Sequence, residues 1–322
     1  MTQKTYVEAI QEAFTEEMER DETVYLAGED VGPFGGNFGE TAGLFDTFGP
    51  ERVRDTTISE VAIVGHAIGA AVAGMRPVAC LQFASFAGIV GDELVNQAGR
   101  LLYTSGGQMK MPMVVFAPAG AGISAAAQHS QAPHSWVSHQ PGLVVVTPTT
   151  PYDAKGLLKS AIRDDNPVVF LPHVLLTERE GEVPDEEYTL PLGEAAVERE
   201  GSDVTVVANQ LTFHHAMEAA EELAGDIDVE IVSPRTVAPM DFDTIGASVE
   251  KTSRLVVVDE SPLRYGLQPY VAGEIASRQF FDLDAPPVTI GVKDVPIPFS
   301  PPLEQEVLPD KDRIVEGIKS VF

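Results

Sequence analysis

The 322-residue sequence has almost no cysteine and no long apolar run. Its single cysteine, Cys80, excludes a disulfide within the chain and a metal site built from several cysteines. No stretch approaches the roughly 18 consecutive apolar residues that a membrane-spanning helix needs. The N-terminal residues also lack the apolar core of a secretory signal, so we expect a cytoplasmic protein.

Basic residues are scarce as well. The chain has 21 lysine and arginine residues against 49 aspartate and glutamate residues, which gives a formal net charge of −28. Such a charge repels nucleic acids and anionic membranes, and we exclude both as partners. The acidic residues form either a solvated surface suited to concentrated salt, as in a halophile, or a docking face for a basic partner. Their dispersal along the chain favours the first explanation.

Hydrophobic residues make up 44% of the chain, and the length suggests about two domains. Short apolar runs alternate with stretches of helical periodicity, which predicts an α/β fold with mostly parallel sheets covered by helices. The acidic, proline-containing segment 177–201 is interpreted as the connection between the domains. We predict strands at 23–27, 78–83, 112–116, 143–147, 168–171, 204–208, 229–233, 255–259 and 288–291. We predict helices at 7–18, 59–74, 91–103, 152–163, 213–224, 241–250, 267–280 and 310–320.

Common catalytic motifs are missing: there is no phosphate-binding G-x-x-x-x-G-K loop, no G-x-G-x-x-G and no G-x-S-x-G elbow. His129, His134 and His139 are spaced by five, which fits no zinc pattern. Glu60 lies in the first turn of a helix of small apolar residues, where it either favours the helix dipole or exchanges protons with a ligand. His129 lies in a predicted loop rich in glycine, alanine and serine, with a functional and a structural role equally open.

Six ordered segments carry a likeness to one enzyme family. They are LAGEDVG at 26–32, the long segments at 48–78 and 95–115, AQHSQ at 127–131, and the segments at 141–170 and 294–310. In these segments the chain resembles the beta subunit of the thiamin-diphosphate-dependent decarboxylating component of 2-oxoacid dehydrogenase complexes. The resemblance implies a pyrimidine-binding domain at 1–185, followed by a transketolase C-terminal-like domain at 186–322.

The resemblance further implies an enzyme that oxidatively decarboxylates pyruvate or a branched-chain 2-oxo acid and passes the acyl group to lipoyl on an acyltransferase component. Family members form α2β2 heterotetramers, and thiamin diphosphate lies between alpha and beta chains. Gly91-Asp92-Glu93 only approaches the Gly-Asp-Gly motif that holds Mg²⁺, so the alpha subunit is expected to hold that ion. The alternatives are an acetoin-cleaving or transketolase-like enzyme of the same cofactor class, and a non-catalytic scaffold whose second domain docks the acyltransferase core.

The resemblance also assigns roles to four residues. Glu60 would hydrogen-bond a ring nitrogen of the cofactor's aminopyrimidine, and Phe86 would pack against that ring. Gln82 is expected near the cofactor because it continues the strand at 78–83. His129 matches the histidine at the active-site entrance that is linked to acylation of the incoming lipoyl group.

Oxygen atoms of Ala161, Asp164 and Asn166 match a monovalent-cation site of some relatives, and K⁺ would suit them. The alternative is ordinary capping of the helix that ends there. The chain also departs from many relatives near the substrate and lipoyl channel, at Cys80, Ser85 and His134. These departures weaken any inference about which 2-oxo acid is used.

One further residue concerns assembly. Asp294 lies in a segment that helps relatives to hold the basic subunit-binding domain of the acyltransferase core. We therefore expect docking as an additional role of the second domain.

Overall fold

The computed structural model describes residues 1–322, and these divide into two compact units. The first comprises Met1–Ala119 and Val137–Leu192, and the second comprises Gly120–Trp136 and Gly193–Phe322. Because the units are discontinuous along the chain, a single domain boundary between residues 185 and 186 stays a prediction. No helix has the length and apolar character needed to cross a bilayer.

Strands and helices alternate over most of the chain. The strands are β1 (Thr2–Thr5), β2 (Val24–Gly28), β3 (Val53–Asp55), β4 (Arg76–Cys80), β5 (Val114–Phe116), β6 (Val144–Val146), β7 (Val168–Phe170), β8 (Glu180–Val183), β9 (Ala196–Arg199), β10 (Val204–Ala208), β11 (Val229–Ser233), β12 (Thr236–Ala238), β13 (Leu255–Pro262) and β14 (Val288–Val292). The α-helices are α1 (Tyr6–Arg20), α2 (Leu44–Phe48), α3 (Glu60–Val72), α4 (Gly99–Thr104), α5 (Ala126–His129), α6 (His134–Ser138), α7 (Pro151–Arg163), α8 (Gln210–Glu222), α9 (Phe242–Thr252), α10 (Leu267–Arg278), α11 (Pro301–Val307) and α12 (Lys311–Lys319). Shorter helical segments of 3₁₀ or π type are Ala84–Gly88, Glu93–Ala98, Val174–Leu176 and Phe280–Asp282.

Six strands of the first unit form a parallel sheet in the order β6–β7–β5–β4–β2–β3. Strands β2, β5 and β7 are apolar and buried throughout, as expected for a parallel sheet covered on both faces. Gly28 pairs with Asp55 on one side and with Cys80 on the other, so β2, β3 and β4 end at the same edge. The segments that follow these three strands therefore start close together.

Helices α1 and α7 pack against each other in the first unit, and both begin with a capping box. At α1, Thr5 and Glu8 exchange side-chain-to-backbone hydrogen bonds, and Thr150 and Asp153 do the same at α7. Pro151 takes the first position of α7, where a missing N–H costs nothing. These residues satisfy amide groups that would lack partners, and they fix where each helix starts.

The second unit is built on a five-stranded sheet in the order β14–β13–β10–β11–β9, in which only β9 is antiparallel to its neighbour. Val206, Ile231 and Val256 are buried on neighbouring strands of this sheet. Helices α8 and α12 cover the same core through residues such as Ala216 and Ile314. Burial of the valine and isoleucine side chains, each contributing about 1.5–3 kcal/mol, is the main stabilising term.

The α/β fold with mostly parallel sheets is confirmed, and β10 and β11 have the predicted bounds. Most other elements have bounds that differ from the predicted ones, and β3, β12 and α11 lie where no element was predicted. Three differences bear on the organisation of the chain. Segment 177–201 contains β8, which pairs antiparallel with β1, and β9, which pairs with β11. The strand predicted at 78–83 ends at Cys80, and the helix predicted at 91–103 is π-helical from Glu93 to Ala98 before α4.

Candidate functional site

The carboxyl-terminal edge of β2, β3 and β4 is the place where the first unit gathers polar side chains. Glu29 follows β2 directly, Gln82 follows β4 after one residue, and Glu60 follows β3 as the first residue of α3. Ligands of parallel α/β sheets bind at this edge because the connecting loops open there. Two of the three residues, Glu60 and Gln82, belong to the predicted site; Glu29 does not.

Glu60 and Glu29 form a pair of neighbouring carboxylates. Burial raises the pKa of Glu29, the charge of Glu60 raises it further, and a backbone hydrogen bond at Ser59 only partly opposes this. One oxygen of Glu29, Oε1, is buried and has no hydrogen-bond partner. Glu60 itself is half-buried at the N-terminus of α3, where the helix dipole favours a carboxylate. The site therefore holds one carboxyl, that of Glu29, whose raised pKa favours binding of a proton.

The amide of Gln82 is held at both ends by the chain itself. Its Nε2 donates to the carbonyl oxygen of Glu29 at 2.9 Å, and its Oε1 accepts from Nδ2 of Asn37. Asn37 belongs to the glycine-rich loop after β2, where Gly35 and Gly36 have φ of +88° and +83°. These left-handed conformations suit glycine and allow the loop to turn back towards Gln82.

Three phenylalanines form an aromatic cluster beside Gln82. The rings of Phe83 and Phe86 meet edge to face with centroids 6.0 Å apart, and Phe38 meets Phe83 at the same distance. Phe86 lies in the 3₁₀ segment Ala84–Gly88, which begins where the N–H of Ala84 donates to the carbonyl of Pro118. All three rings are half-buried, so they offer apolar surface to a flat ring.

Comparisons with known proteins identify the family of the chain. The model for "Transketolase, pyrimidine binding domain" matches residues 2–178, and that for "Transketolase, C-terminal domain" matches residues 193–314. The 2-oxoisovalerate dehydrogenase subunit beta of Bacillus subtilis is 42% identical over 324 residues, covering 100% of this chain and 99% of the relative. The pyruvate dehydrogenase E1 component subunit beta of the same organism is 43% identical with the same coverage. The chain belongs to the beta-subunit family of 2-oxoacid dehydrogenase E1 components.

Two further matches mark the breadth of this family and of its fold. The acetoin:2,6-dichlorophenolindophenol oxidoreductase subunit beta of Cupriavidus necator is 45% identical, covering 98% of this chain and 96% of the relative. A solved structure described as "Split gene transketolase, inactive beta4 tetramer" superposes with a TM-score of 0.80 at 24% identity. It covers 98% of this chain and 97% of that chain, and it shows the fold alone.

Thiamin diphosphate is the cofactor of this family, and its pyrimidine would lie against the residues at the edge of β2, β3 and β4. They fit its pyrimidine half: the edge combines the half-buried Glu60 with an orphaned oxygen of Glu29, and Phe83 and Phe86 supply flat apolar surface beside them. Acidic groups suit a basic ring nitrogen, and ring edges and faces suit the pyrimidine. Glu60, Gln82 and Phe86 are thus brought together in one unit.

His129 lies in the other unit. It is the last residue of α5, is half-buried, and belongs to Gly120–Trp136, which the contact pattern groups with the C-terminal part of the chain. Because the histidine and Glu60 are in different units, the role of His129 stays a prediction.

Two of the residues that the resemblance marks as unusual have a clear local structure. Cys80 is buried, and burial together with the charge of Glu40 raises the pKa of its thiol. A thiol in that state is a weak nucleophile, so Cys80 is a packing residue. It lies so close to Gly28 that a Cβ there would come within 2.5 Å of the Cys80 carbonyl oxygen. Ser85 is half-buried in the turn before Phe86.

The proposed cation site lies at the C-terminal end of α7. Oδ1 of Asp164 accepts from the backbone N–H and from Nδ2 of Asn166 at 2.7 and 2.8 Å, which is a local turn of the capping type. Nη1 of Arg76 donates to the carbonyl oxygens of Ile162 and Asp164 at 3.0 and 2.8 Å. No group of three or more His, Cys, Asp or Glu side chains is arranged to hold a metal ion. A cation bound through Ala161, Asp164 and Asn166 would therefore compete with Arg76, and this site stays a prediction.

Proposed function

We propose that this chain is the beta subunit of a thiamin-diphosphate-dependent 2-oxo acid dehydrogenase that acylates lipoyl. The enzyme oxidatively decarboxylates a 2-oxo acid, either pyruvate or a branched-chain 2-oxo acid, and transfers the acyl group to the acyltransferase component. The observation that carries the proposal is the cluster of Glu60, Glu29 and Phe86 at one sheet edge, in a chain 42–43% identical over its full length to such beta subunits.

The cofactor, when bound, supplies the electron sink that makes loss of CO₂ from a 2-oxo acid possible. The chain's own residues bind and orient its pyrimidine. Glu60 would hold a proton at a ring nitrogen, and Phe86 would keep the ring in place by packing. Gln82 cannot rotate its amide freely, because Asn37 and the Glu29 carbonyl hold it, so it offers a fixed polar surface to the site.

The alpha subunit is proposed to complete the site. Apolar side chains on either side of Glu60 in the sequence are exposed: Ile58 is 82% exposed and Val61 47%. Exposed apolar residues grouped around a functional carboxylate favour a protein partner over solvent. The incomplete motif at 91–93 supports the same view, because the partner would hold Mg²⁺. We propose an α2β2 heterotetramer in the cytoplasm, in which His129 serves lipoyl acylation and K⁺ is an optional structural ion.

The test is reconstitution of the chain with its alpha subunit, Mg²⁺ and thiamin diphosphate. A panel of 2-oxo acids is assayed with an artificial electron acceptor and with a lipoyl domain. Glu60→Gln should lower turnover by about 10²–10⁴-fold, because it removes the proton-holding carboxyl. Glu51→Gln, an exposed residue of the same unit, is the charge-matched control. Full activity of Glu60→Gln would contradict the role assigned to Glu60. A wild-type enzyme that is inactive on every 2-oxo acid would contradict the proposed function.

The second candidate is an acetoin-cleaving or transketolase-like enzyme of the same cofactor class. One specific observation favours acetoin, namely the 45% identity to the acetoin:2,6-dichlorophenolindophenol oxidoreductase subunit beta. Product analysis separates the candidates, because only the proposed enzyme forms acyl-lipoyl and CO₂ from a 2-oxo acid. Release of acetaldehyde from acetoin, without turnover of 2-oxo acids, would favour the second candidate.

We also propose that most of the acidic surface is an adaptation to concentrated salt. The net charge of −28 destabilises the folded chain by self-repulsion, and salt screens this repulsion within a few ångströms. The free energy of unfolding should therefore rise as KCl is increased from 0.1 to about 2 M. Unfolding of the chain at molar salt would contradict this adaptation.

A further inference from the structure

The segment Gly120–Trp136 contains few groups that could hold it by its own packing. Most of its residues are glycine, alanine or serine, and its only regular elements are the single turn α5 and the start of α6. Four of its residues have left-handed backbone conformations, with φ of +98° at Gly120, +101° at Gly122, +57° at Ser124 and +61° at Ala126. Such a segment needs contacts from elsewhere to keep one conformation.

Two glutamates of the second unit hold the start of this segment. Glu260 on β13 accepts the N–H of Ala121 at 2.5 Å. Glu304 on α11 accepts the N–H of Gly122 at 2.8 Å, and its other oxygen accepts the N–H and hydroxyl of Ser124 at 3.0 and 3.3 Å. Glu304 is only 2% exposed. Hydrogen bonds from backbone N–H groups to a buried carboxylate are among the stronger ones in proteins.

An ion pair holds the other end. Nε2 of His134 lies 2.8 Å from both carboxylate oxygens of Asp259, and both side chains are buried. Burial opposes the charged forms, but the mutual attraction and hydrogen bonding of the pair outweigh it. The pKa of His134 is raised, with a contribution from the Glu260 charge, and the pKa of Asp259 is lowered.

Asp259 is itself held in place by its neighbours. Its Oδ1 accepts the N–H of Ser261 at 2.8 Å, and its carbonyl oxygen accepts from Nε2 of Gln268 at 2.8 Å. Gln268 is fully buried in the first turn of α10. The ion pair is therefore a fixed point of the second unit rather than a contact between two mobile side chains.

His129 lies midway between these two attachments, five residues after Ser124 and five residues before His134. We propose that His134 and Asp259 are positioning residues for the acyl-transfer step, because their buried ion pair sets the place of the segment that carries His129. This inference rests on the role given to His129 under the proposed function. It assigns a task to a buried pair whose two residues both belong to the second unit.

The test compares two activities of the reconstituted heterotetramer. Decarboxylation with an artificial acceptor requires no lipoyl group, whereas acylation of a lipoyl domain requires His129 in place. His134→Gln should lower the rate of lipoyl acylation by about 10- to 100-fold, the size expected for misplacement by about 1 Å, and leave the artificial-acceptor rate within about twofold of wild type. His139→Gln, an exposed histidine outside the segment, is the matched control and should change neither rate.

A double-mutant cycle shows whether the effect passes through His129. In a His129→Ala background, His134→Gln should cost no further acylation activity, because the group that it positions is gone. The charge-swapped variant with His134→Asp and Asp259→His should recover part of the lost acylation rate. Additive losses in the cycle, or an equal loss in both assays of the single variant, would overturn the proposal in favour of a purely structural role.

Two outcomes keep this proposal separate from the proposed function. If the wild-type enzyme acylates no lipoyl domain, the proposed function fails; if it does and His134→Gln acylates equally well, only the positioning role fails. If His134→Gln does not fold, Glu304→Gln is used instead, since it weakens the other attachment and leaves the ion pair intact. Glu304→Gln should likewise lower the rate of lipoyl acylation and leave the artificial-acceptor rate unchanged. An unchanged acylation rate, or an equal loss in both assays, would overturn the proposal.

Discussion

Substitution of Glu17 tests how strongly buried charges stabilise the first unit. Glu17 lies on α1 and is completely buried, facing α7. Its carboxylate accepts three hydrogen bonds from Arg163, with the closest at 2.6 Å, and one from Arg20 at 2.8 Å. The hydrogen bond to Glu17 is the largest cause of the raised pKa of Arg163. Glu17→Gln keeps the size of the side chain and removes its charge.

The expected loss in the free energy of unfolding of Glu17→Gln follows from the burial of Glu17 and the exposure of its partners. Removing one member of a buried ion pair costs about 3–5 kcal/mol, because the other charge stays behind without compensation. Here the side chains of Arg163 and Arg20 are 30% and 40% exposed, so water compensates part of the loss. We therefore expect the lower end, about 3 kcal/mol. For a unit of this size, that corresponds to a fall in Tm of about 6–12 °C.

The assay is urea and thermal unfolding of the purified protein at 0.1 and about 2 M KCl. Glu19→Gln is the control, because it makes the same charge change at an exposed position of the same helix. Salt screens exposed charges far more than buried ones, so the deficit of Glu17→Gln should persist at high salt. A difference of less than about 0.5 kcal/mol between the two variants would refute the reasoning.

Two further predictions concern backbone strain and pH. Gly142→Ala should destabilise the chain by several kcal/mol more than Gly225→Ala. Both glycines have φ near +97°, but a Cβ at Gly142 would lie 1.8 Å from a carbonyl oxygen, whereas a Cβ at Gly225 would face open space. Equal Tm values for the two variants would contradict this prediction. The raised pKa of His134 means that its contribution to stability is complete below its unfolded value of about 6.5 and lost as pH rises through the folded value. The lowered pKa of Asp259 means that its contribution is complete above about 3.8 and lost as pH falls. The difference in free energy of unfolding between wild type and His134→Gln, measured by urea denaturation, should thus be largest at mildly acidic pH. A difference that does not depend on pH would contradict this role of the His134–Asp259 pair.

The strands of the second sheet could be predicted because their burial is visible in the sequence. Val204–Ala208 and Val229–Ser233 are continuous apolar or small-residue runs between polar segments, as parallel strands covered on both faces require. Strands β8 and β9 have no such signal, since each contains two charged residues and has two of its four residues exposed. They exist because a distant strand offers backbone partners: β8 pairs with β1 about 180 residues away. Local pattern contains no information about such pairings.

The sequence pointed to candidate residues where one residue stands out, but not where two residues must meet. Glu60 is conspicuous as an acid opening a helix of small apolar residues. Glu29 is one of many acids in the sequence, and only the shared edge of β2 and β3 brings it beside Glu60. The same holds for Asn37, which reaches Gln82 from a loop 45 positions away. A position directly after a buried strand was the available signal for Glu29, because ligands bind at that edge.

The buried acidic residues of this chain have a different role from the exposed ones. Glu17, Asp259 and Glu304 are each at most 2% exposed, and each makes short hydrogen bonds to a cation or to backbone N–H groups. Concentrated salt screens exposed charges over a few ångströms and hardly affects these contacts. In such salt, attraction between surface charges would not place the segment to which we assign His129 and its proposed role. The attachments of Gly120–Trp136 are of the kind that salt does not weaken, so the positioning of His129 should be as effective in molar KCl as in dilute buffer.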